Sequence, residues 1–167
     1  LLQKCDLVKQ LTRREQLSVL ARLRPLEFAA GAIVIREGDT VDIDDFGMYI
    51  ITKGELDVVD AKRGRLASIY QGHSFGELAL IKSAPRAASV VAKTEVRCLA
   101  LSKKDFLSIV EESEKTMRTN GGGSYVGDVG ENSNNDTNSS GVSLKERLTE
   151  IANQLEVVRE RRKQSAR

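Results

Sequence analysis

Along this chain the spacing of apolar positions changes character several times, and each change marks an element. Leu17, Leu20 and Ala21 recur at helical spacing. Thr12 precedes them with Glu15 three residues on, the form of a capping box in which hydroxyl and carboxylate satisfy each other's backbone N–H groups. Pro25 breaks the run, so an amphipathic helical start is expected within 1–25. From Ala32 the pattern shortens to "AIVI", "MYIIT", "ELDVVD", "LASIY" and "RAASVVA", all rich in β-branched residues. Gly31, Gly38, Gly54, Gly64 and Gly72 separate these runs at turn-like intervals, and "VRCLAL" (96–101) closes the series. Short strands with frequent turns predict a mainly β sandwich or small barrel over 31–101. Ser102 and Asp105 can cap a helix over 103–117, with Phe106, Ile109, Val110 and Met117 on one face.

The stretch 119–142 is Gly, Asn and Ser with hardly an apolar residue, too little to offset chain entropy by burial, and is expected to be a flexible linker. Over 143–167 a second capping box, Ser143 with Glu146, precedes Leu144, Leu148, Ile151, Leu155 and Val158 at alternating steps of four and three. That amphipathic helix offers a seam for self-association through 144–158 or for docking on its own domain. A basic cluster at 159–163 ends it. No long internal repeat is visible. The expected order is a domain over 1–118 (helix, small antiparallel β unit, helix), then linker and final helix.

Composition narrows the function classes. Hydrophobic residues make up 40% of 167 positions, enough for one packed core, and the net charge of +2 is too balanced for wholesale nucleic-acid binding. No apolar run approaches the roughly 20 residues that span a bilayer. With no signal peptide and Leu1 at the start, the expectation is a fragment of a longer cytoplasmic protein. Cys5 and Cys98 lie outside any metal spacing and read as reduced thiols.

The chemistry concentrates in "FGELALIKSAPRAASVVA", residues 75–92, where Glu77 and Arg86 stand among small and apolar side chains. Gly76 permits close backbone approach, and "ELALI" favours a turn of helix whose first N–H groups have no intrahelical partner. Such a terminus attracts anions. Pro85 breaks the turn, and Arg86 follows with Ala87, Ala88 and Ser89, small enough to let a ligand reach the backbone. An arginine facing a helix N-terminus is a receptor for one phosphate. Glu77 would repel that phosphate, so its expected work is to accept a hydrogen bond from a sugar hydroxyl. A nucleotide with both groups close together fits the pair.

The cassette "FGELALIKSAPRAASV" closely resembles the phosphate-binding cassette of cyclic-nucleotide-binding domains, above all those of regulatory subunits of cyclic-AMP-dependent protein kinase. The resemblance extends over about 1–117, through "GAIVIREGD" and "MYIITKGELDVV". It implies an eight-stranded antiparallel β roll flanked by helices. It implies that Glu77 holds the ribose 2′-hydroxyl and Arg86 the cyclic phosphate, with backbone contacts at Gly76, Leu78, Ala79 and Ala87 and the small Ala88 beside them. Cyclic-GMP binders of that family often carry Thr after the arginine; Ala87 therefore favours cyclic AMP over cyclic GMP. The family caps the base with an aromatic or apolar residue, a role for Met117, for Tyr125 or for a residue of a neighbouring domain. "GDTVDIDDFGMY" is longer and more acidic than the family's pattern. The implied function is an allosteric signalling module without catalysis, cofactor or metal, regulating a kinase catalytic subunit or domain.

Other readings stand beside this one. An isolated Glu and Arg would be a structural ion pair, but a buried charge left without its ligand costs about 3–5 kcal/mol, which argues against an empty relic. His73, the single histidine, lacks the companions of a metal site, which also counts against the cupins. Asp42–Asp45 lacks the spacing and glycine of an EF-hand loop and reads as a solvated acidic turn. A cyclic-GMP-dependent kinase, a channel or a transcription activator would share the roll. The first differs in ligand, the second needs membrane spans and the third a helix-turn-helix. An assembly protein with an inert roll would use the final helix to oligomerise.

Overall fold

The computed structural model describes residues 6–9, 11–82, 84–120 and 142–165. A short α1 (Asp6–Lys9) leads into α2 (Arg13–Arg22). The capping box is formed: Thr12 Oγ1 accepts from the Glu15 amide at 3.4 Å, and Glu15 Oε2 accepts from the Thr12 amide at 2.8 Å. The helical start expected over 1–25 ends at Arg22. Leu23 turns extended (φ −67°, ψ 135°) and Arg24–Phe28 form strand β1. The reason is Pro25, which disfavours helix at the residue before it and is tolerated on the sheet edge that β1 occupies.

Seven further strands follow: β2 (Ile33–Ile35), β3 (Phe46–Lys53), β4 (Glu55–Asp60), β5 (Gly64–Tyr70), β6 (Ser74–Phe75), β7 (Ser89–Ala92) and β8 (Val96–Ser102). They make two four-stranded sheets, ordered β1-β8-β3-β6 and β2-β7-β4-β5, with antiparallel pairing throughout. Helix α3 (Glu77–Lys82) interrupts them before β7, α4 (Lys103–Asn120) follows β8, and α5 (Leu144–Ser165) comes last. This is the mainly β architecture with flanking helices that the resemblance implied.

Strand β3 shows why "MYII" lacks polar alternation. Successive side chains point to opposite faces, and here both faces are buried. Met48 and Ile50 join Leu101, Phe106 and Ile109 in a core beneath the helices, while Tyr49 and Ile51 join Leu56, Phe75, Val90 and Cys98 in a second core. Burial pushes the Cys98 thiol up to about 11, so it stays protonated and inert.

Helix α5 turns its seam onto this domain. Leu144, Leu148 and Ile151 belong to the core beneath the helices, together with Leu80 of α3. The side chains of Leu155 and Val158 lie outside the described residues. Burying an aliphatic side chain of this size is worth about 2 kcal/mol. Doubling a tether costs only about 0.6 kcal/mol, so a long connection from α4 does not prevent docking.

One carboxylate links three helices. Glu15 of α2, 6% exposed, accepts at Oε1 from Ser113 Oγ of α4 at 2.6 Å and from Arg147 Nη2 of α5 at 2.7 Å. Burial raises its pKa, but the Ser113 and Thr12 hydrogen bonds and the Arg147 charge outweigh that and hold it below 4.5. A carboxylate depressed in the folded state adds stability above its ordinary value and loses it as pH falls through the folded one. Melting curves below pH 4.5 should therefore show an acid-sensitive limb, shallower in Glu15→Gln; limbs of equal steepness would count against this account.

Candidate ligand-binding site

The cassette is built around a reversal that only glycine makes cheaply. Gly76 sits at φ +90°, and a Cβ there would lie 2.5 Å from the Gly47 carbonyl oxygen and 2.8 Å from Arg86 Nη1. Directly after it, Glu77 starts α3 and is 3% exposed. A carboxylate in the first turn is favoured by the helix dipole. Ala79 and Leu80 turn inward and Leu78 is half-buried. Gly47 supplies the socket for this helix: a Cβ on it would overlap the Leu80 side chain.

Arg86 lies 8% exposed on the other side of Gly76. Its Nη1 donates to the carbonyls of Gly47 at 2.9 Å and Gly76 at 2.8 Å, and its Nη2 donates to that of Phe46 at 2.8 Å. Among the described residues the Nε–H and the second Nη2–H take no protein partner, which leaves a guanidinium edge able to hold an anion. The backbone is fixed as firmly, with Arg86 N donating to Asp39 O at 2.8 Å and Gly38 N to Arg86 O at 2.9 Å. Burial pulls the arginine's pKa below its ordinary value, opposed by the nearby charges of Glu77, Asp45 and Asp39. Arginine stays a cation under such conditions.

Gly76, Glu77 and Arg86 are thus brought together as the sequence predicted. Ala87 is exposed and Ala88 half-buried beside them. Of the two cap candidates, Tyr125 and the side chain of Met117 lie outside the described residues. Sequence reading missed the Phe46 and Gly47 carbonyls, because backbone groups leave no mark in residue type. It also missed Tyr49, which stacks on Phe75 at 5.0 Å. Desolvation raises the Tyr49 phenol's pKa, so it stays neutral beside Arg86. A separate cavity of about 170 Å³ opens at Thr12, Glu15, Ser113 and Arg147, and no cassette residue lines it.

The β roll thus buries an arginine and a glutamate on either side of a left-handed glycine. The family model for the cyclic nucleotide-binding domain matches residues 25–113, and the chain belongs to that family. A cAMP-dependent protein kinase regulatory subunit of Candida albicans is 42% identical over 114 residues, which are 67% of this chain and 23% of that protein. Its counterpart in Pyricularia oryzae is 37% identical over 118 residues, 70% of this chain and 29% of that protein. The chain thus spans 23% to 29% of the length of these two curated relatives.

Among solved structures, the regulatory domain of Toxoplasma gondii PKA with cAMP is similar at 29% identity and a TM-score of 0.57. The match covers 71% of this chain and 45% of that one. PKAR CBD2 bound to Sp-2Cl-cAMPS is 25% identical with a TM-score of 0.54, over 69% of this chain and 75% of that one.

Proposed function

We propose that this chain is a cyclic-nucleotide sensor with a preference for cyclic AMP, and that it regulates a protein kinase through a ligand-dependent change of conformation. The observation that carries this reading is the buried Glu77–Gly76–Arg86 constellation, whose guanidinium is held by three backbone carbonyls with one edge left over. A cyclic phosphate takes that edge and the ribose 2′-hydroxyl donates to Glu77, with Gly76, Leu78, Ala79, Ala87 and Ala88 as the surrounding wall. The similarity to kinase regulatory subunits supports a kinase catalytic subunit or domain as partner and no catalysis in the chain itself. The nucleotide unit is assigned to 1–118 and the final helix to 143–167; α4 itself runs to Asn120, past the expected end at 117 and two residues into the expected linker 119–142, of which 121–141 lie outside the described residues. Cytoplasmic residence fits a buried free thiol at Cys98 and the lack of any helix, among the described residues, long and apolar enough to cross a membrane.

A ligand shifts a two-state equilibrium only by its differential affinity for the two states. Here Leu80 of α3 and Leu144, Leu148 and Ile151 of α5 share one core, so rearrangement of the cassette is felt by the final helix. Calorimetric titration of the unmodified chain tests the reading: cyclic AMP binds, and binds more tightly than cyclic GMP. Heat from neither nucleotide would overturn it. Position 87 tests the selectivity. Ala87→Thr adds a hydroxyl at an exposed site beside the arginine, and cyclic GMP should gain on cyclic AMP by about 1 kcal/mol. An unchanged ratio would remove position 87 from ligand choice.

A further inference from the structure

The segment from Gly38 to Gly47 wraps Arg86 from two sides. Its near end holds the arginine's backbone, through Gly38 N to Arg86 O at 2.9 Å and Arg86 N to Asp39 O at 2.8 Å. Its far end holds the guanidinium, through the carbonyls of Phe46 and Gly47 at 2.8 Å and 2.9 Å. Its middle is fastened to the start of α4. Lys103 N donates to Asp45 O and Lys104 N to Ile43 O, both at 2.9 Å. The first amides of a helix are obligatory donors without intrahelical partners, and here the strap's carbonyls take them. Lys103 adds the side-chain fastening: its half-buried ammonium donates to Val41 O at 2.9 Å. Within the strap, Asp42 N donates to Asp45 Oδ2 at 2.9 Å, and the Asp45 charge acts on Arg86. The acidic run is therefore no mere solvated turn: it joins the arginine to α4.

We propose that Lys103 is a positioning residue for the phosphate arginine, acting through the 38–41 end of the strap, where Gly38 and Asp39 fix the Arg86 backbone. This rests on reading the cassette as the cyclic AMP site. A charge-assisted hydrogen bond is roughly twice as strong as a neutral one, so the ammonium is the strap's firmest side-chain anchor. Without it, Val41 O loses its donor and the adjoining near end of the strap, where Gly38 and Asp39 hold the arginine's backbone, gains freedom. A guanidinium aimed before the ligand arrives loses less entropy on binding than one that must be ordered then.

The test uses the full chain, titrated calorimetrically with cyclic AMP. Lys103→Met weakens binding by about tenfold. Lys103→Arg, which can still donate to Val41 O, stays near the unmodified chain. Lys104→Met removes the same charge one residue along but leaves its backbone bond to Ile43 intact, and so serves as the electrostatic control; it binds within about twofold of the unmodified chain. In an Arg86→Lys background Lys103→Met has little further effect, because both act on one group. Full additivity there, equal losses in Lys103→Met and Lys104→Met, or no rescue by arginine would overturn the proposal while leaving the cyclic AMP site standing. No binding by the unmodified chain would overturn both.

Discussion

Replacing Arg86 by alanine is expected to weaken cyclic AMP binding by about 2–5 kcal/mol, tens- to thousands-fold. The loss has two physical parts. The phosphate forfeits a charged, bidentate partner in a site where water cannot replace it. The Gly47 carbonyl forfeits its donor, and a buried acceptor left alone costs about 1–3 kcal/mol; Phe46 O keeps the Tyr49 hydroxyl at 3.4 Å and Gly76 O the Ala79 amide at 3.2 Å. Arg86→Ala therefore lowers thermal stability as well. Arg86→Lys separates the two parts. It keeps the charge near Glu77, Asp39 and Asp45, but a single ammonium cannot reproduce a planar fork that reaches three carbonyls and still presents an edge. Its melting temperature should fall less than that of the alanine variant while its affinity falls almost as far. Unaltered cyclic AMP affinity in either variant would remove Arg86 from the phosphate site.

The second large effect is expected at Gly76. A methyl group there meets the Gly47 carbonyl oxygen at 2.5 Å, and a backbone atom of β3 in the middle of a sheet cannot retreat. The side chain that can yield is Arg86, whose Nη1 would lie 2.8 Å from the new carbon. Strain from φ +90° adds about 1–3 kcal/mol. Gly76→Ala is thus expected to lower stability by that amount or more, and to reduce cyclic AMP affinity by at least about tenfold by turning the guanidinium off its carbonyls. Thermal melting and calorimetry on one preparation measure both. A variant as stable and as tight as the unmodified chain would mean that Arg86 is free to move aside, contrary to the close packing around Gly76.

Much of this site is written in side chains, and that much was legible. Glu77 and Arg86 are conspicuous because charge is rare among small apolar residues, and Gly76 and Pro85 punctuate the turn between them. The capping boxes at Thr12 and Ser143 are equally local, two side chains three residues apart. What the sequence withheld is non-local or belongs to the backbone. Nothing in "DFGMY" announces that two of its carbonyls grip an arginine some 40 positions later. The length of α2 was overestimated because helical spacing persists to Leu23, whereas pairing of Arg24–Phe28 with β8 decides the boundary. The seam of α5 could equally have dimerised; only packing against Leu80 and its neighbours assigns three of its residues to this domain.

Strand β3 also governs how the molecule comes apart. It is a party wall, lined on one side by Met48 and Ile50 and on the other by Tyr49 and Ile51. Two compartments that share a wall do not melt separately, because opening either exposes the back of the other. The helical layer and the double-sheet layer are therefore one cooperative unit in denaturation. Loosening that spreads no further than one compartment must stay within the helices and spare the wall itself.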